Sequence, residues 1–123
     1  MPPLLFYTDA LENQATSPLA RSTAGDGAVA IVATGSTAAD AKLLSAVFNT
    51  ITTSSASTGV KLPPTEAGAM VGIRNDSGQT ITVYPYNTSS TINAAATSVT
   101  LATAKSMILF APSATTWASV TSA

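Results

Sequence analysis

Six carboxylates, Asp9, Glu12, Asp26, Asp40, Glu66 and Asp76, are the acid–base groups of this chain. A glycosidase needs two of them held about 5–9.5 Å apart. Asp9 and Glu12 are close in sequence but fall in a breaker-rich leader, and Asp76 stands in a turn beside Arg74. Each of the six reads as a solvated or turn residue. Aromatic side chains offer binding instead of catalysis. Tyr84 and Tyr86 share a face if their strand is regular, and such a pair can stack a sugar, with Trp117 on another strand. The competing reading makes the tyrosines an interface or core-rim pair and Trp117 a core plug. Lys61, Arg74 and Lys105 would meet an acidic partner if the fold gathered them; as isolated charges they are solvated surface. Asn75-Asp76-Ser77 and Asn87-Thr88-Ser89 are glycosylation sequons, which a Ser/Thr-rich chain produces by chance.

The elements that must carry these residues belong to one domain, since 123 residues can build one real core. Charged residues are only 9%, against about 25% in an ordinary soluble domain. Hydrophobic residues are 46% and mean hydropathy is +0.32, which excludes a disordered polar tract. Thr (20), Ser (15) and Ala (23) dominate, so the expected surface is hydroxyls and methyls rather than ions. With no His and no Cys, the Ser-His-Asp and Cys-His nucleophiles, Cys/His zinc sites, disulfides and thiol redox are all excluded. Five Lys+Arg against six Asp+Glu provide no positive field for nucleic acid and no polybasic segment for a membrane. The longest strictly aliphatic run, 28–33, is far below the ~20 residues of a spanning helix. The start lacks a basic n-region and does not read as a signal peptide, so synthesis in a cytoplasm is expected. No cofactor is implied. So little charge suits a chain whose surface is covered by copies of itself or by a partner. A stable homo-oligomer is expected, a trimer with an interface of roughly 2,000 Å² or more.

Residues 1–27 read as an extended N-terminal arm. They hold Pro2, Pro3 and Pro18, one apolar cluster (Leu4, Leu5, Phe6, Tyr7) and a closing Gly25-Asp26-Gly27 turn signal. The cluster is expected to dock on a neighbouring subunit. Residues 28–123 read as a β-domain. Strand-like runs fall at 28–33, 50–54, 60–63, 69–75, 80–86, 98–101, 106–111 and 116–121, separated by Gly, Pro, Asn and Ser turns. Strands at this spacing suggest a sandwich or barrel. The segment 37–51 stays open. It fits a helix with Thr37 as N-cap and Leu43, Leu44, Val47 and Phe48 at helical spacing, or a strand, a kink at Ala46 and a second strand from Phe48. Val71, Ile73, Ile81, Val83, Ile108 and Phe110 are the expected inward residues.

The stretch from Gly59 to Pro85 resembles a small β-rich module of tailed-bacteriophage virion proteins. The pattern runs from Gly59 to Pro63 and through Ala67-Gly68 to Asn75–Gly78. It continues with Val83-Tyr84-Pro85, Thr91-Ile92-Asn93, a hydrophobic strand from Met107 to Phe110, and Trp117. Two turns depart from it: Ala104-Lys105 stands where Gly is expected, and the loop after Tyr86 has no Gly. The resemblance covers roughly residues 40–121 and leaves the arm outside. It implies an all-β fold: a single jelly-roll-like β-sandwich of about eight strands. It also implies a non-enzymatic capsid cement or decoration protein on the virion surface, bound to the major capsid protein and often trimeric. A tail- or fibre-associated module is the nearest alternative in that class. A carbohydrate-binding module using Tyr84, Tyr86 and Trp117 is the alternative from another class. The expected partner contacts are Leu4, Leu5, Phe6, Tyr7, Tyr84 and Tyr86.

Overall fold

The computed structural model describes residues 26–123. The expected arm, apart from Asp26 and Gly27, lies outside the described residues. Ten strands follow one another: β1 (Gly27–Val32), β2 (Lys42–Leu43), β3 (Phe48–Thr53), β4 (Gly59–Lys61), β5 (Met70–Asn75), β6 (Ile81–Tyr84), β7 (Thr91–Ile92), β8 (Val99–Leu101), β9 (Lys105–Ser113) and β10 (Thr116–Thr121). The all-β expectation holds, and no helix occurs among the described residues. The eight expected strands are joined by β2, which falls in the first strand of the alternative left open over 37–51, and by β7, each two residues long.

Two sheets enclose one core, but the connectivity is not that of a jelly roll. The six-stranded sheet has the order β1-β3-β5-β9-β10-β7, and the four-stranded sheet β2-β4-β6-β8. Through β6 the chain alternates between sheets, so each return enters its sheet in the same direction. Consequently β1, β3 and β5 are parallel, as are β2, β4 and β6. A parallel pair needs a long crossover, and here a strand of the opposite sheet supplies it. The result is a solenoid-like stack of three coils. The chain then reverses: β8 runs antiparallel to β6, β9 antiparallel to β5, and β10 antiparallel to β9. Strand spacing alone serves a jelly roll and this stack equally, which is why the finer expectation is corrected.

The open segment 37–51 resolves as the strand–kink–strand alternative. Burial alternates on either side of the kink: Leu44 and Ala46 are buried while Leu43 and Ser45 are exposed, and beyond the kink Val47 and Asn49 are buried while Phe48 is exposed. That is a strand's period, not a helix's. The Leu44 N–H donates to the Lys61 carbonyl (2.9 Å) and draws the segment into the four-stranded sheet. Helical bonding stops after one turn, where the Asp40 and Ala41 N–H groups donate to the Thr37 carbonyl. The Asp40 carboxylate accepts the Thr37 hydroxyl (2.8 Å), the Thr37 N–H (2.8 Å) and the Ser36 N–H (3.1 Å). Gly35 makes the close approach possible: at φ 74° it occupies the left-handed region, and a Cβ there would stand 2.3 Å from the Asp40 carbonyl oxygen.

These hydrogen bonds, led by the Thr37 hydroxyl, hold the Asp40 pKa below its ordinary value of 3.8. A depressed carboxylate pKa adds loop stability above the unfolded value, lost as pH falls through the folded one. Amide exchange at Ser36 and Thr37 is therefore expected to quicken only on acidification below the ordinary carboxylate range. Asp40→Asn should show the faster exchange already at neutral pH. A loop whose exchange, corrected for intrinsic rates, ignores both changes would contradict this role.

The core takes Ile51, Val71, Ile73, Met107, Leu109 and Trp117 from one sheet and Val60, Ile81, Val83 and Leu101 from the other. Four expected inward residues, Val71, Ile73, Ile81 and Val83, are buried as anticipated, but Ile108 and Phe110 are each 45% exposed. The correction is one of phase. Opposite residues of an antiparallel pair project to the same side. The register sets Met107 against Ile73 and Leu109 against Val71, which turns Ile108 and Phe110 outward. Asn75, fully buried, ties the sheets together. Its amide donates to the Gln79 carbonyl (2.7 Å) and to the Leu101 carbonyl of β8 (2.8 Å), while its oxygen accepts the Ser77 N–H and hydroxyl. The Asn75–Gly78 turn read from sequence is thus organised by a core residue. In the turn before β9, Ala104 adopts φ 63°, the conformation for which a glycine was expected.

Candidate functional site

The groups singled out for chemistry are dispersed. Asp9 and Glu12 lie outside the described residues. Asp26 accepts the Val47 N–H (3.2 Å), Asp40 closes its loop, and Asp76 pairs with Arg74 at 2.8 Å, both half-exposed. Among the described residues, no group of three or more carboxylates is placed to hold a metal ion. The three cations are not gathered. Lys61 belongs to the four-stranded sheet, with its ammonium 5.4 Å from the Tyr86 ring centroid. Arg74 is on the six-stranded sheet, where it also donates to the Ala104 carbonyl (3.0 Å), and the Lys105 ammonium donates to the Ala123 carbonyl.

Trp117 is fully buried, and its indole N–H donates to the Thr65 hydroxyl (3.0 Å). It is the core plug, and no sugar can stack on it. Ile81, Val83 and Pro85 are buried in alternation, which leaves Tyr84 and Tyr86 on the outer side of the four-stranded sheet. The Tyr84 hydroxyl is engaged, donating to the Ser36 carbonyl at 2.8 Å. Tyr86, beyond the end of β6, is 38% exposed. The other four expected contacts, Leu4, Leu5, Phe6 and Tyr7, lie outside the described residues.

The most distinctive surface was not anticipated. On the outer face of the six-stranded sheet, Phe48, Gly72, Ile108 and Val120 form one cross-strand row. Met70, Phe110 and Ala118 form the next. Phe48, Met70, Ile108, Phe110 and Val120 are 44–62% exposed. Neither row contains an ionisable group. Gly72 shapes the first row: a Cβ there would come within 2.4 Å of the Phe48 ring, so the missing side chain lets the ring lie across β5. The row beyond, Thr50, Arg74 and Ser106, is polar. Beside the face, Leu43, Val47, Pro63, Pro64 and Met70 line a groove of about 410 Å³, with Glu66 among its lining residues.

A sequence signal for this face exists. Met107, Ile108, Leu109 and Phe110 are four successive apolar residues, and Val47-Phe48 and Met70-Val71 are apolar pairs. Because successive side chains point to opposite faces, such runs make both faces of the strand apolar. One face fills the core and the other is left exposed.

Comparison of the chain with protein-family models, with curated proteins and with solved structures returned no match.

Proposed function

We propose that this protein is a non-enzymatic assembly subunit, a cement protein on the capsid of a tailed bacteriophage. The uncharged apolar face on the six-stranded sheet carries the assembly part of this reading. A chain with 9% charged residues that exposes Phe48, Met70, Ile108, Phe110 and Val120 side by side has a surface suited to being covered. The capsid part rests on the resemblance over residues 40–121. Two sheets packed on one core and joined by the Asn75 hydrogen bond to Leu101 need no chemistry to reinforce a lattice. Apolar and backbone contacts of this kind tolerate salt better than ion pairs do. Attachment in several copies multiplies weak contacts through effective concentration. A sugar-binding role has less support, because Trp117 is buried and the Tyr84 hydroxyl is engaged.

In this reading Leu4, Leu5, Phe6 and Tyr7 fasten the subunit to a neighbour. About twenty residues of linker at ~3.3 Å each span several tens of Å. Burial of a Phe and two Leu contributes about 5–8 kcal/mol gross, much of it offset by ordering the arm. Deletion of residues 1–24 is expected to leave the circular dichroism spectrum unchanged and to weaken retention on capsids through a density gradient. The full chain is expected to co-sediment with capsids at fixed stoichiometry. Failure of the full chain to do so would refute the capsid reading. Equal retention of the truncated chain would refute the arm's role.

A further inference from the structure

We propose that the outer face of the six-stranded sheet is where copies of this chain pack on one another, face to face across a symmetry axis through the rows of Phe48, Ile108, Val120, Met70 and Phe110. The proposal rests on the reading of this face as an assembly surface, but not on the capsid.

Area, charge and shape favour a second copy as the occupant. The five apolar side chains, each roughly half exposed, present on the order of 400 Å², within the range at which a patch on a monomer is often functional. The face as a whole is larger. Six strands at ~4.8 Å spacing and about six residues at ~3.3 Å give a footprint on the order of 600 Å² before side-chain relief is added. A standard interface takes about 800 Å² from each partner, so one copy nearly supplies the surface that another needs.

Charge points the same way. The two rows carry no ion, so an identical face meets them without like-charge repulsion and strands no charge out of water. A partner recognised through ion pairs would have nothing to hold there. Glu66 lines the adjoining groove with Met70, and on the polar side of the face Arg74 and Asp76 neutralise one another at 2.8 Å. They supply a polar rim beside an apolar centre, the arrangement of a specific interface.

Shape completes the case. With Phe48 lying across Gly72, the first row presents a ring along its surface instead of a standing knob beside a hole. Sheets pack face to face at ~10 Å with interdigitating side chains. The Ala118 position beside Phe110 leaves room for a side chain from the opposite face. A symmetry axis through the face brings each central residue near its own counterpart, which makes the patch self-complementary.

The full chain contains no cysteine, so a single introduced thiol reports contact without background. Light scattering of the full chain at tens of micromolar is expected to give twice the 12.3 kDa chain mass. Ile108→Lys and Val120→Lys, on outward positions where an ammonium reaches water, should return the mass to that of one chain with an unchanged circular dichroism spectrum. Ile108→Cys should form an intermolecular disulfide under mild oxidation at least tenfold faster than Thr100→Cys on the other sheet. A monomeric full chain overturns the proposal and assigns the face to a different partner. Survival of the oligomer in both lysine variants also overturns it. If the oligomer is lost instead on Phe6→Asp, the N-terminal cluster holds the copies together. Should either lysine variant misfold, the disulfide rates decide: equal rates at Ile108→Cys and Thr100→Cys reject the face. Capsid sedimentation is scored separately, so its failure leaves the result standing.

Discussion

Leu109→Ala is expected to cost about 2–5 kcal/mol of folding stability, and Phe110→Ala, one residue on, about 1–2 kcal/mol. Leu109 is fully buried opposite Val71, whereas Phe110 is 45% exposed opposite Met70. Truncating Leu109 removes its transfer free energy and leaves a cavity between the sheets. Truncating Phe110 removes a ring that is already about half in water. For a small domain with 5–15 kcal/mol in total, the first loss is a large fraction of its stability. Urea unfolding at a concentration low enough to keep chains apart measures both. The reverse ordering would place β9 one residue out of phase, because a shift by one sends every side chain of a strand to the other face. A loss for Phe110→Ala that grows with protein concentration would report association instead of folding, since a linked oligomer is stabilised by mass action.

Trp117→Ala is expected to be at least as damaging, at about 3–5 kcal/mol. Trp117 is the largest fully buried side chain, and β10, which carries it, holds β7 on one side and β9 on the other. Its indole N–H donates to the Thr65 hydroxyl, which in turn donates to the buried Ser90 hydroxyl at 2.9 Å. Trp117→Phe keeps most of the apolar area but removes the donor, and should cost about 1–3 kcal/mol. Equal losses for the two variants would mean that the hydrogen-bonded chain, not buried area, fastens this end of the domain. As the single tryptophan of the chain, Trp117 also reports its own burial through a blue-shifted native emission that moves to the red on unfolding.

What was legible in the sequence was local. Val71 and Ile73, then Ile81 and Val83, alternate with polar or small neighbours, and consecutive Cβ atoms of a strand point to opposite faces, so their inward direction could be read directly. The Asn75–Gly78 turn and the stop at Gly35 were marked by residue types suited to tight backbone. The low charge pointed to a surface poor in ions. Where both faces of a strand are apolar, the alternation carries no phase. Met107 to Phe110 fits a core on either parity, and only the hydrogen-bonded register with β5 chose Met107 and Leu109. For 37–51, helix and strand spacing overlapped over a short apolar run, and the Lys61 carbonyl that claims the Leu44 N–H lies seventeen residues away in sequence. Connectivity was hidden for the same reason. Strand length and spacing do not state which strand returns to which sheet, so parallel coils and an antiparallel jelly roll read alike until distant backbones pair. The outer face of Phe48, Met70, Ile108, Phe110 and Val120 exists only in the folded chain, because its residues come from four strands that long-range hydrogen bonding sets side by side.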